Sequence, residues 1–314
     1  LTIGTGDLYT GIHQTLAAPT KFDTRWNNKT RVKSYSLVDY MTYNKWDIIL
    51  GIHKHEAESR GYKWKSDNTL NYIERIKTDD TSPTYGIIYR PNSHMSVYAS
   101  HSENFDAGSG VNTTFENFGD ILPPLKTKQN EIGVKYKRNN LLYTLAYYDI
   151  KQDNLISVYK DGYVKPFQSK DGQARHKGLE FSINGRLADK WNILGGSAKQ
   201  EKTTKGTLDG IRVNGTSEWT AVLGLEYNPN EAWSILGRAI YTGKTPVMNE
   251  KIWAPGYTIF DLGVTHKTHF GKIPAELSLM VNNVFDKDYW QVSRGNQVYL
   301  SLPRTFSFTA KLHF

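Results

Sequence analysis

Two histidines at i and i+2, His53 and His55, flank Lys54 ahead of Glu56. On a strand that spacing sets both rings on one face. A metal site needs further ligands converging on one point, so the pair reads as surface residues and no metal ligand is assigned. Gly108-Ser109-Gly110 and Gly195-Gly196 lack the strand-to-helix setting of a phosphate loop. No G-x-S-x-G elbow occurs, and the chain holds no cysteine, which removes thiolate nucleophiles, thiolate metal sites and disulfides. The residues that could do chemistry do not assemble into an enzyme, and none is expected.

Most of the sequence instead alternates. Ile132, Val134 and Tyr136 stand against Glu131, Gly133 and Lys135; Leu179, Phe181 and Ile183 against Glu180, Ser182 and Asn184. Trp219, Ala221, Leu223, Leu225 and Tyr227 repeat the pattern, as do Phe260, Leu262 and Val264. The chain closes with Phe306, Phe308, Ala310, Leu312 and Phe314 on one side and Ser307, Thr309, Lys311 and His313 on the other. Period two predicts strands with one apolar and one polar face. The 20 Tyr, 8 Trp and 26 Gly suit aromatic strands and tight turns. Mean hydropathy is −0.57, and no apolar run is long enough for a membrane helix. A transmembrane barrel hides its apolar residues in every second position, so that average does not exclude a membrane. The net charge of +8 is scattered rather than clustered, which argues against nucleic acid.

Connections alternate between short and long, as they do when the two ends of a barrel face different compartments. The short ones are Asn44-Lys45, Pro91-Asn92-Ser93, Asn139-Asn140, Ala188-Asp189-Lys190, Asn230-Glu231 and Gly271-Lys272. Long polar segments near 55–82, 103–127, 152–173, 202–215, 243–256 and 286–303 are expected as extracellular loops. Aromatics recur at the short-turn end, with Trp46, Trp191 and Trp233 after turns and Tyr43, Tyr89, Tyr136 and Tyr227 before them. They read as a membrane-interface girdle, although each is also a good strand residue. About thirteen strands are expected from Ser34 to Phe314, with a weaker one near Leu1–Tyr9. Residues 1–33 read as that weak strand and a surface loop, and 34–314 as barrel. An open edge in hydrocarbon leaves backbone groups unsatisfied, so the strands must close on themselves or be joined by others. The first residue is Leu1 and no signal peptide appears, so an earlier segment is expected.

The stretches YSLVDYMTYNKWDIILGIH (35–53), TYGIIYRPNSHMSVYASHSENF (84–105) and LPPLKTKQNEIGVKY (122–136) resemble the TonB-dependent siderophore receptors of the ferric hydroxamate and ferripyoverdine type. So do YTLAYYDIKQDNL (143–155), HKGLEFSINGRLADKW (176–191), VNNVFDKDYW (281–290) and the ending PRTFSFTAKLHF (303–314). The resemblance implies an all-β antiparallel transmembrane β-barrel in the bacterial outer membrane, with this chain supplying about 13–14 C-terminal strands of a barrel of about 22 strands. The plug domain and the TonB-contacting segment of such receptors are expected to lie outside it. It implies uptake of ferric iron carried as a siderophore complex, with no cofactor bound by the chain itself. The partners implied are TonB-ExbB-ExbD through the plug segment, lipopolysaccharide, and the barrel-assembly machinery reading Phe306, Phe308 and Phe314.

Ligand recognition in the family resembles a cup of aromatics and polar groups at the outer mouth. On the long segments Tyr62, Trp64, Phe105, Phe115, Phe118, Tyr163, Phe167 and Trp253 are the candidates, although for any one of them packing of loop against loop is the favoured role. Glu131, Lys135, Glu180, Arg186, Glu226, Arg238 and Asp261 are expected to face a watery lumen. Tyr289 and Trp290 belong to the strand-end pattern and are given a structural role. Two other readings stand beside the receptor. One is a self-closed passive channel of about fourteen strands; the other is a soluble β-sandwich adhesin, which the apolar aromatic faces disfavour.

Overall fold

Among residues 28–65, 69–106, 108–206, 209–292 and 297–313, which the computed structural model describes, the chain folds into strands with no helix. In order they are β1 (Asn28–Tyr43), β2 (Trp46–Trp64), β3 (Leu70–Asn92), β4 (Met95–Asp106), β5 (Leu125–Arg138), β6 (Leu141–Val158), β7 (Phe167–Ala188) and β8 (Trp191–Lys205). They continue with β9 (Trp219–Asn230), β10 (Trp233–Thr242), β11 (Thr245–Val247), β12 (Ile252–Ala254), β13 (Tyr257–Phe270), β14 (Ile273–Asn282), β15 (Trp290–Val292), β16 (Val298–Leu300) and β17 (Thr305–Leu312). Thirteen of them form one sheet in the order β1-β2-β3-β4-β5-β6-β7-β8-β9-β10-β13-β14-β17, while β11-β12 and β15-β16 are separate hairpins. Thirteen strands is the number the alternation gives. β1 starts at Asn28, ahead of the expected Ser34. The weak strand near Leu1–Tyr9, the rest of residues 1–27, and Phe314 lie outside the described residues.

Two compact units divide the chain, one of Leu1–Arg31 with Ser59–Arg75 and one of Val32–Glu58 with Ile76–Phe314. In the first, Lys63 pairs with Glu74 at 3.4 Å and the Thr30 and Ser59 hydroxyls meet at 3.4 Å. Everything below concerns the second unit unless stated.

Left-handed residues make the tight turns. Asn44 (φ 55°), Asn139 (φ 53°) and Gly271 (φ 62°) each open a two-residue turn, a backbone region that Asn and Gly tolerate. At the β9-β10 turn the Asn230 side chain accepts from the Ala232 and Trp233 N–H groups at 3.0 and 3.1 Å.

Register assigns the faces. Ile87 lies opposite Ala99, Ala99 opposite Ile132, Ile132 opposite Tyr147 and Tyr147 opposite Leu179. Farther along, Leu223 meets Ala239, which meets Phe260, and Leu279 meets Phe308. This apolar face stands open, with Leu37 74%, Leu179 49%, Phe306 66% and Phe308 68% exposed. Buried apolar residues are few and mostly small, Ala57, Ala146, Ala174 and Ala275 among them. In water such a sheet would aggregate; in hydrocarbon it is the expected surface. The seven expected lumen charges share the opposite, polar face: Glu180 pairs with Ala146 and Ala198, Arg186 with Asn192, and Arg238 with Asp261.

Two polar-face details hold the sheet. Tyr98 crosses over Gly133, where a Cβ would come within 2.6 Å of its ring, and donates its hydroxyl to Glu131 at 2.5 Å. Asp261 accepts from Arg238 Nε and Nη2 at 2.9 and 2.6 Å and, through Oδ1, from the Asn283 N–H at 2.8 Å. Asn283, left-handed at φ 52°, in turn exchanges hydrogen bonds with the Lys287 backbone at 2.9 Å each way. That explains the VNNVFDKDYW stretch: it ties the 283–304 connection to the end of β13 and β14.

The long segments need one correction. Over 55–82, β2 runs to Trp64 and β3 starts at Leu70, so Tyr62 and Trp64 lie on a strand rather than in a loop. Phe105 and Phe167 likewise lie on β4 and β7. Ladder hydrogen bonds belong to the backbone, so pairing continues after the outward face turns polar. That change is sharp, from Ile132 to Asn130 and Lys128, from Tyr147 to Asp149 and Lys151, and from Leu179 to Lys177 and Arg175.

Candidate ligand-binding site

At the long-loop end the polar face widens into a cavity of about 690 Å³. Its floor comes from three adjacent strands: Gln152 of β6 lies opposite Ala174 of β7, which lies opposite Thr204 of β8. Asn154 and Lys202 share that face. The wall is the 209–216 segment, folded back on β8 by hydrogen bonds from Thr204 N to Ile211 O and from Val213 N to Lys202 O, both 2.9 Å. A second set pins this wall to the β11-β12 hairpin. Gly215 N donates to Pro246 O at 3.0 Å, and Asn249 N donates to the Asn214 side chain at 2.9 Å.

Arg212 is the pivot. It pairs with Glu218 and, at 3.6 Å, with Glu250, and its guanidinium lies 5.5 Å from the centre of the Trp253 ring. Lys244 approaches the same ring at 4.7 Å, so Trp253 lies against two cations. Among the described residues the lining holds Lys202, Arg212 and the amides of Gln152, Asn154, Asn214 and Asn249, with Glu218 and Glu250 paired to Arg212. A cation-bearing, amide-rich cup suits a ligand that presents anionic or carbonyl oxygens.

The other expected ligand aromatics are dispersed. Tyr163 and Phe167 meet edge to face at 4.9 Å, with Lys160 4.2 Å above Phe167. Phe115 and Phe118 sit in the β4-β5 connection, which is stapled to the β6-β7 connection. There Asn117 donates to Gln168 O and accepts from Gln168 N at 3.1 and 2.9 Å, and Glu116 N donates to Pro166 O at 2.9 Å. Phe105 packs on the His55 ring at 5.1 Å. Tyr62 and Trp64 belong to the first compact unit. Thus, of the eight, Trp253 adjoins the cavity through Arg212. The polar residues that line it were not singled out in the sequence. The signal available was inward parity continued past the apolar band, as in Gln152 and Asn154.

At the short-turn end the aromatics pair across strands: Trp46 with Tyr89 at 4.5 Å, Trp191 with Tyr227 at 4.7 Å and Tyr136 with Tyr143 at 6.4 Å, while Trp233 stacks on His266 at 4.2 Å. Tyr43 is 81% exposed. Tyr289 stacks on Tyr257 at 3.9 Å, and burial pushes its phenol above the usual range. Among the described residues no cluster of three or more His, Asp or Glu could hold a metal, and His53 and His55 bond instead to Ser36 and Ser34 at 2.9 Å.

An outward apolar face, a polar face bearing charge, and unequal connections at the two ends define a transmembrane β-barrel wall. Residues 2–284 match the TonB dependent receptor-like, beta-barrel family, and the chain belongs to it. Its strands are those of a bacterial outer-membrane barrel. The ferrichrome receptor FcuA of Yersinia enterocolitica is 24% identical over 97% of this chain and 41% of its own length. The ferrichrome outer membrane transporter/phage receptor of Escherichia coli K12 is 28% identical over 73% of the chain and 32% of its length. Among solved structures, BauA, the ferric preacinetobactin receptor of Acinetobacter baumannii, superposes with a TM-score of 0.76 at 23% identity, over 90% of this chain and 43% of that one. The chain therefore spans about two-fifths or less of the curated relatives cited here.

Proposed function

We propose that this chain is the wall and outer mouth of a receptor that takes up a ferric siderophore, energised through TonB with ExbB and ExbD. Iron is cargo, carried inside its chelate. The observation that carries this reading is the cation-bearing, amide-rich cavity on the polar face at the long-loop end, in a chain of this family. Relatives named as ferrichrome and catecholate siderophore receptors support it. Lysine and arginine there would hold the chelate's oxygens by charge-assisted hydrogen bonds, the amides would fix its orientation, and Trp253 would keep Arg212 in place. On the same reading Phe306, Phe308 and Phe314 are read by the barrel-assembly machinery, and lipopolysaccharide meets the outward face above the apolar band.

The test is uptake of radiolabelled iron chelates by cells lacking other siderophore receptors and carrying the full-length receptor that contains this chain. Uptake that requires TonB is expected. Uptake that persists at the same rate without TonB would overturn the reading in favour of a passive channel.

A further inference from the structure

Toward the long-loop end several cations pair with carboxylates, Lys54 with Asp79 at 3.3 Å, Lys128 with Glu103 at 2.9 Å, Arg175 with Asp149 at 2.7 Å and Lys177 with Glu201 at 3.0 Å, and at the short-turn end Arg90 pairs with Asp47. At that short-turn end three of the six short turns carry an exposed Lys, namely Lys45, Lys190 and Lys272, and an exposed Arg138 ends β5 just before a fourth, against Asp189 and Glu231. Among the described residues none of these four cations forms an ion pair. Two of them are held at the rim by the backbone: Lys45 Nζ donates to Pro91 O at 3.0 Å and Lys190 Nζ to Pro229 O at 2.8 Å, each to the neighbouring turn. An ammonium has three donors, so each keeps N–H groups for something else.

Their level in the membrane follows from the aromatics. Lys45 precedes Trp46, Lys190 precedes Trp191, and Arg138 lies two residues beyond Tyr136. Interfacial Trp and Tyr sit at head-group depth, which puts these cations beside the phosphates of that leaflet. Lysine and arginine that face no carboxylate at this depth are attracted to anionic lipid surfaces.

We propose that the short-turn rim is a binding surface for anionic phospholipid head groups, with Lys45, Arg138, Lys190 and Lys272 contacting lipid phosphates of the leaflet on that side. The surface is separate from the ligand cavity, which lies at the opposite end of the strands.

The test uses the full-length receptor carrying this chain, extracted from vesicles of mixed phosphatidylglycerol and phosphatidylcholine, with co-purifying lipid counted by native mass spectrometry. Wild type should enrich phosphatidylglycerol, and the enrichment should fall in 0.5 M salt, where the Debye length is only about 4 Å. The quadruple variant Lys45→Gln, Arg138→Gln, Lys190→Gln, Lys272→Gln should lose it, by about fivefold for each cation removed. Because four changes could disturb insertion, Arg138→Gln and Lys272→Gln are also measured singly. A control with Lys54→Gln, Lys128→Gln, Lys151→Gln and Lys177→Gln should keep the enrichment. Equal enrichment in wild type and the rim variants, or equal loss in the control, would overturn the proposal. So would wild-type receptor that ignores phosphatidylglycerol but captures poly-glutamate, or lipid displaced as readily by inorganic phosphate.

Discussion

Asp261 is the position where a small change should have the largest structural effect. Its side chain is 3% exposed and serves two groups at once, the Arg238 guanidinium and the Asn283 N–H. Asp261→Ala leaves the Asn283 N–H, in a residue 4% exposed, without an acceptor, which costs about 1–3 kcal/mol. Arg238 keeps 39% of its side chain in solvent, so losing its carboxylate adds only about 1 kcal/mol. The sum is roughly 2–4 kcal/mol. Asp261→Asn retains an oxygen for the N–H and should cost only the charge part, about 1 kcal/mol. Urea unfolding of the full-length receptor in lipid vesicles measures both, and limited proteolysis reports whether the 283–304 connection loosens. An Asp261→Ala variant within about 0.5 kcal/mol of wild type, or one whose connection resists protease as before, would refute the reasoning.

Other substitutions probe separate parts. Gly133→Val forces a side chain into the Tyr98 ring and should destabilise by about 1–3 kcal/mol, read by the same unfolding assay; Gly133→Ala should cost less. Asn117→Ala removes both bonds to Gln168 and should make the 159–166 segment more susceptible to protease while leaving the urea midpoint nearly unchanged. Trp191→Ala deletes the pair with Tyr227 and should cost about 1 kcal/mol beyond lost area, measured in vesicles. Arg212→Gln should raise the Kd for an anionic ferric chelate roughly ten- to a hundredfold, from a charge-assisted contact worth about 1.5–3 kcal/mol.

The fold was legible because alternation is a local property. Ile132, Tyr147, Leu179 and Leu223 declare one face whatever lies next to them, and Asn44, Asn139 and Gly271 mark turns through a backbone angle few other residues accept. Strand length past the apolar band was not legible, because His55 to Trp64 is polar and loop-like in composition while its backbone stays paired. The cavity was less legible still. Lys202 and Asn249 are distant in sequence and come together only when the 209–216 segment folds back on β8, a tertiary contact with no local signal. Aromatic residues on polar segments were the visible cue, and of them Trp253 adjoins the cavity through Arg212.

The most direct test of the account is equilibrium binding of ferric chelates to the purified full-length receptor, followed by quenching of tryptophan fluorescence, with chelates of net negative and of zero charge compared. Tighter binding of the anionic chelates is expected, with loss of that preference in a Lys202→Gln, Arg212→Gln double variant. A receptor that binds neutral chelates as tightly, or keeps its preference in the double variant, would contradict it.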